Sequence, residues 1–168
     1  MGDIFKEQLV SKKRTAKDGM ITALVILAAI LLVAASFLFI PQAFVLVVII
    51  VAYGAYWLVQ RQNIEYEYSF TNGDLDIDKI INKSKRKRLI SVSVKDFEAM
   101  AHVEDKDHSH ELSGFEKTLD FSSGEIKSNT YAAVFMHNNQ NVKMIFEPNE
   151  EILKGIFHLI PRKLHIKK

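Results

Sequence analysis

Hydrophobic positions along the chain follow three successive rhythms. They are continuous from Met20 to Ile40 and, after Pro41 and Gln42, again from Ala43 to Val59. From Ile64 they alternate with polar residues at period two, and from Ile152 to Ile160 they recur at helical spacing. A bilayer-crossing helix needs about 20 mainly apolar residues, with about 17 as the lower limit. The first two runs therefore predict a transmembrane helical hairpin over 19–60, with spans 20–40 and 43–59. Proline disfavours helical geometry at the residue before it and has no backbone donor, which puts the turn at Pro41 and Gln42. Small residues at Ala23, Ala28, Ala29, Ala34, Ala35 and Ser36, and at Ala52, Gly54 and Ala55, would allow the two helices to approach closely in lipid. Tyr53, Tyr56 and Trp57 gather at the end of the second span, where amphipathic rings sit at headgroup depth, and Arg61 is the first charge beyond them. A signal peptide over residues 1–36, with small residues at Ala34, Ala35 and Ser36, and a single long bent span are the competing readings of the same stretch.

The period-two rhythm predicts strands. Ile64, Tyr66, Tyr68 and Phe70 alternate with Glu65, Glu67, Ser69 and Thr71, and Asn72-Gly73 then signals a two-residue hairpin turn. That turn sets Phe70 opposite Leu75, Tyr68 opposite Ile77, and Glu67 opposite Asp78. A third strand, from Leu89 to Val94, is preceded by the basic cluster Lys83, Lys85, Arg86, Lys87 and Arg88. Two readings of this cluster stand side by side: neutralisation of Glu65, Glu67, Asp74, Asp76 and Asp78, or contact with an anionic leaflet or a partner. One helical turn is expected in 95–101, a polar loop over 103–114, and further strands over 115–121, 131–137 and 142–146. Pro148 ends the last strand. Asn149 is a good N-cap for a helix over 150–160 with Glu150 and Glu151 in its first turn, which leaves a basic tail of Arg162, Lys163, His165, Lys167 and Lys168. The expected class is α+β: a transmembrane hairpin followed, over 61–168, by a small antiparallel β-barrel or sandwich of six or seven strands with a C-terminal capping helix. The basic segment 1–18 suggests a short amphipathic helix with Ile4, Phe5, Leu9 and Val10 on its lipid face.

Charge refines this picture. The 168 residues carry 22 Lys and Arg against 20 Asp and Glu, none of them between Gly19 and Gln60. Lys6, Lys12, Lys13, Arg14 and Lys17 precede the first span, Arg61 and Lys79 follow the second, and the turn has no basic residue. The positive-inside rule then makes this a multi-pass cell-membrane protein with both termini cytoplasmic. Beyond residue 60, 17 basic residues balance 17 acidic ones, which lacks the footprint of a nucleic-acid binder. Cysteine is absent, so disulfides, thiol catalysis and Cys-ligated metals are excluded. His102, His108 and His110, with Glu104, Asp105, Asp107 and Glu111, are the chain's one metal-like constellation, without a recognisable ligand spacing. No nucleophile elbow or phosphate loop occurs.

The order strand, tight turn, strand, basic loop, strand, later strands and capping helix is similar to bacterial pleckstrin-homology-like (PH-like) domains. EYEYSFTNGDLDIDKIINKSKRKRLISVSVKDFE (65–98), IFEPNEEILKGIFHLIPRK (145–163) and the opening MGDIFKEQLV resemble small two-span membrane proteins of Gram-positive, Clostridia-type bacteria that carry such a C-terminal domain. The resemblance brings no established activity with it, and fold alone does not supply a function. In lipid-binding eukaryotic domains of this fold, a long first hairpin loop supplies basic residues for phosphoinositides. Here that loop is Asn72-Gly73 followed by Asp74, so the usual pocket is missing. The expectation is a non-enzymatic, membrane-anchored module for protein or peptide interaction or self-association at the cytoplasmic leaflet, without cofactor or catalytic residues. Its candidate contact residues are Lys83, Lys85, Arg86, Lys87 and Arg88. An electrostatic sensor of anionic lipid is the alternative, and metal-dependent chemistry at the His102–His110 loop a more distant one.

Overall fold

The computed structural model of the chain describes residues 5–166. Two compact units divide it: Arg14–Ile64 with Ile81–Ser84, and the remainder, which holds the residues up to Lys13, Glu65–Ile80 and the chain from Lys85.

The first unit is a helical pair, α1 (Ala16–Phe39) and α2 (Phe44–Gln60). Thr15 and Asp18 open α1 with a capping box. The Thr15 hydroxyl accepts from the Asp18 backbone and the Asp18 carboxylate accepts from the Thr15 backbone at 2.8 Å, so two otherwise orphaned donors are satisfied. The helix stops at Ile40, whose φ of −140° is non-helical, and Pro41 starts the short 3-10 turn Pro41–Ala43. At the turn, the rings of Phe37 and Phe44 meet edge to face at 5.5 Å. At the other end, Thr22 Oγ1 donates to Gln62 Oε1 at 3.0 Å and Arg14 donates to Asn63 Oδ1 at 3.0 Å. The helices are therefore antiparallel, and the start of α1 lies beside the end of α2. α1, and α2 together with the turn before it (Pro41–Gln60), are long and apolar enough to cross a membrane, and their large apolar side chains point outward rather than into a protein core. Such a surface is unfavourable in water.

The second unit contains two sheets. β1 (Phe5–Ser11), β2 (Ile64–Thr71), β3 (Asp74–Ile81) and β4 (Lys85–Ser93) pair in sequence order. β5 (Phe97–His102), β6 (Lys117–Asp120), β7 (Tyr131–His137), β8 (Gln140–Phe146) and β9 (Leu164–His165) form the other sheet in the order β6-β8-β7-β5-β9. Two unclosed sheets make a sandwich and not a barrel. The pairing is also not wholly antiparallel, because β6 runs parallel to β8 and β9 parallel to β5. Among the described residues, nine strands replace the expected six or seven. One addition is β1, where the hydrophobic spacing suggests an amphipathic helix; it pairs with β2 from Phe5↔Thr71 to Ser11↔Glu65. Ile4, the fourth member of that expected lipid face, lies outside the described residues. The expected helical turn over 95–101 is reduced to Val94–Asp96, and Phe97, Ala99, Met100 and Ala101 are buried in β5 instead.

Turn chemistry explains the hairpins. Asn72 and Gly73 both have positive φ (53° and 106°), as the tight primed turn requires, and Asn138 and Asn139 repeat this (51° and 61°) between β7 and β8. The core forms where β2 meets the second sheet: Tyr66 packs edge-on to Phe121 and Tyr68 to Phe146. The capping helix α3 (Glu150–Leu159) starts at Asn149, whose side chain accepts from the Ile152 backbone at 2.9 Å. Its Gly155 lies flat against Phe70, so close that a Cβ would sit 2.6 Å from the ring.

Candidate functional site

The basic cluster is split by strand geometry. Side chains two apart on a strand share a side, and Arg86 and Arg88 use this to grip the acids of β2 and β3. Arg86 pairs with Glu67 and with Asp78 at 2.7 Å, and Arg88 bonds Asp78 at 2.9 Å and Asp76 at 2.9 Å. Asp78 is buried and held between the two guanidinium groups. Burial pushes its carboxyl up, but the hydrogen bonds from Arg88 and Arg86 outweigh that and leave it below the usual carboxylate range. These two arginines are thus committed to neutralising neighbouring acids. Lys83, Lys85 and Lys87 are exposed and make no ion pair among the described residues. Lys83 sits in the β3–β4 turn, where the Asn82 backbone donates to the carbonyl of Asn63 at 2.8 Å, three residues past the end of α2.

At that end of α2, Tyr53, Tyr56 and Trp57 occur at helical spacings of three and four and share one face, all well exposed. The Arg61 guanidinium lies 3.6 Å from the centre of the Trp57 ring. Aromatic rings with a cation stacked on one of them suit a headgroup region, where one part of the side chain is apolar and the other wet.

The histidine-rich loop is organised differently from the sequence expectation. His102 is not in the loop: it ends β5, buried, with Nε2 donating to the Lys127 carbonyl at 2.8 Å and Nδ1 accepting from the Glu104 backbone at 3.2 Å. Both ring nitrogens are therefore used. His110 is exposed, with only a long 3.8 Å approach to Glu111. His108 instead stacks on His165, which comes from β9, with ring centres 3.6 Å apart and planes within 12°. Asp105 accepts from His108 Nδ1 at 2.9 Å, and Glu111 accepts from His165 Nε2 at 3.0 Å. The hydrogen bond from His108 holds the Asp105 carboxyl below its ordinary value. His165 reads in the sequence as part of a basic tail, and no local spacing ties it to residue 108.

Sequence reasoning also misses a polar knot in the sandwich. Glu147 is 2% exposed, and its carboxylate accepts from the Ser123 backbone (2.9 Å), the Ser123 hydroxyl (2.6 Å) and Lys127 Nζ (2.8 Å). Burial pushes this carboxyl up, but Lys127 and Ser123 more than compensate and hold it below the usual range. Around it, Tyr68 donates to the Phe121 carbonyl at 2.7 Å, and burial raises the pKa of its phenol so that it stays protonated. Gln8 on β1 reaches across, donating to the Glu147 carbonyl at 2.8 Å and accepting from the Asn149 backbone at 2.7 Å. Every one of these groups has a partner within the protein, and the Glu147 carboxylate itself is closed to solvent while the Lys127 side chain reaches the surface, which marks the knot as structural.

No curated protein and no solved structure matches the chain. A family model does, over residues 2–166, so that the match takes in the helical pair, both sheets and the capping helix together; the chain belongs to the family described as bacterial PH-like domain (DUF6106).

Proposed function

We propose that this protein is a non-enzymatic module in which a two-span membrane hairpin holds a PH-like sandwich at the cytoplasmic leaflet, where the sandwich binds protein or peptide partners or a second copy of itself. The observation that carries the reading is an insertion. β1 and β2 are neighbours in one sheet, with Ser11 opposite Glu65, and everything between them is the helical pair. Only residues 12–15 and 61–63 connect strands to helices. The helices in turn start and finish side by side. A chain that leaves and rejoins one sheet at adjacent positions puts both outer ends of the hairpin on the same side of a bilayer. Lysines and arginines crowd that side and are absent from Pro41–Ala43, which favours the cytoplasm.

The absence of cysteine makes a clean test possible. Single cysteines at Gln42 and at exposed Gln140 would be probed with a membrane-impermeant thiol reagent. Gln42→Cys should react in right-side-out vesicles and Gln140→Cys only in inverted ones. Labelling of Gln140→Cys from outside, or recovery of intact chain in the soluble fraction without detergent, overturns the reading.

A second reading, that the domain senses anionic lipid, is favoured by the three lysines that stand outside the arginine–acid network. A basic residue close to an anionic surface contributes about 1 kcal/mol. In full-length protein reconstituted into nanodiscs, anionic lipid should slow hydrogen exchange around 82–88. The effect should fade with salt and disappear when Lys83, Lys85 and Lys87 become Ser.

A further inference from the structure

Among the described residues, one group of metal-ligating side chains converges outside the module just described. One ligand-type atom from each of His108, Glu111 and His165 lies within 4.8 Å of the other two. Each is about a third exposed or less, so the site is open to solution. We propose that His108, Glu111 and His165 form a binding site for one divalent late transition metal ion of the zinc type.

The donor set fits. Two imidazoles and one carboxylate, with room for water at a fourth position, are a recognised tetrahedral zinc environment. Imidazole donors favour zinc, nickel and copper over magnesium or calcium. Metal-bound histidines commonly donate their other ring N–H to a carboxylate, which fixes the ring and raises its basicity. His108 has that arrangement already, because Nδ1 is taken by Asp105 and Nε2 is left for the ion. The Asp105 carboxylate is itself fixed by the backbone N–H groups of Asp107 and His108 at 3.0 and 3.3 Å.

The donors also stand on firm footing. Glu111 precedes Leu112, which is 4% exposed and packs with Ala101, Ala132 and Val134. His165 follows Leu164, which is 3% exposed, and β9 is fastened to β5 through Met100↔Leu164 and Ala101↔His165. Both ligands are thus leashed to β5 by a buried leucine. Nitrogen and oxygen ligands about 2.0–2.1 Å from a tetrahedral ion are about 3.3 Å apart. Closure therefore needs the donors to tighten by at most about 1.5 Å, the His108 and His165 rings to turn out of their stack so that their lone pairs converge, and the ion to replace the proton that His165 shares with Glu111, with release of that proton.

The test uses full-length protein in detergent, stripped with chelator and titrated with zinc chloride by calorimetry, with metal content read independently by mass spectrometry. One equivalent is expected. His108→Gln, His165→Gln and Glu111→Gln should each weaken binding at least tenfold. Asp105→Asn should weaken it about 10–100-fold, the usual effect of removing an outer carboxylate. His110→Gln should bind as the parent does. Cobalt(II) should give the visible absorption of a tetrahedral site and lose it in His165→Gln, even where that variant's fold is shown intact by far-UV circular dichroism. Binding of well under half an equivalent, or an His165→Gln titration indistinguishable from the parent, overturns the proposal.

Discussion

Glu147 is the residue whose removal tests the packing argument most sharply. Its carboxylate is nearly inaccessible and takes three hydrogen bonds, one from a lysine whose side chain is 42% exposed. Glu147→Gln keeps the shape, but its one amide oxygen can serve Ser123 only through neutral bonds, and the amide NH2 then faces Lys127 Nζ, so the lysine bond is lost. Charge-assisted and neutral bonds differ by about 1–1.5 kcal/mol each, and relaxation of the new amide recovers part of that, so a loss of about 1–3 kcal/mol follows. Lys127→Met leaves a buried carboxylate without its cation. Breaking a fully buried pair costs about 3–5 kcal/mol; because Lys127 is half in water, about 2 kcal/mol is the appropriate figure. The double variant should be less destabilised than the sum of the singles by about 1 kcal/mol, since a neutral amide at position 147 no longer needs a cation. Pulse proteolysis of full-length protein across a urea series in detergent reads these differences. The pH dependence has a definite sign. Because the folded carboxyl lies below its usual value, its stabilisation is complete above the unfolded value and is lost as pH falls through the folded one. Glu147→Gln should therefore flatten part of the acid-side decline. Additivity within about 0.3 kcal/mol, together with an unchanged acid limb, would refute the claim that these groups act as one unit.

Gly155→Ala should destabilise by about 1–3 kcal/mol despite the better helix propensity of alanine, because Phe70 is fully buried and cannot yield; thermal unfolding of the full chain reads this, and a stabilised variant would disprove the contact. Gln8→Ala should cost about 1–3 kcal/mol by stranding the Asn149 N–H, and should raise hydrogen exchange at the start of α3 as well as in β1. Changing all three acids that hold them, Glu67→Gln with Asp76→Asn and Asp78→Asn, should release Arg86 and Arg88, so that full-length protein in anionic nanodiscs shows greater exchange protection over 85–88 than the parent; unchanged protection would mean that these arginines never reach the lipid.

Elements whose pattern is local are legible in the sequence. The apolar runs, the break at Pro41, the Asn72-Gly73 turn and the Asn149 cap each depend on residues within a few positions, and each stands where its pattern puts it. What escapes depends on partners far along the chain. β1 carries its strand character in backbone bonds to residues 65–71, while Phe5 and Leu9 remain exposed, so its hydrophobic spacing imitates a helix. His165 meets His108 only because β9 is a two-residue strand laid parallel to β5, too short for any periodicity to announce. The basic cluster is ambiguous for the same reason. Period two separates Arg86 and Arg88 from Lys85 and Lys87, but which side meets acids depends on the register against β3.

The insertion of the helical pair into a β-ladder has an energetic consequence that joins the two halves of the chain. Closing a flexible loop as long as residues 12–64 costs about 3 kcal/mol more than closing a two-residue turn. An antiparallel helical pair removes most of that cost, because its outer ends are already together, tied by Thr22 to Gln62 and by Arg14 to Asn63. Once the pair has formed, β1 is delivered to β2 as though by a short hairpin, and Gln8 can then lock it to the Glu147 knot. The sandwich therefore gains its first strand through the hairpin. Replacing residues 14–62 with a flexible glycine–serine linker of equal length should leave β2–β8 paired while β1 exchanges as a frayed edge. A short two-residue turn in the same place should restore its protection.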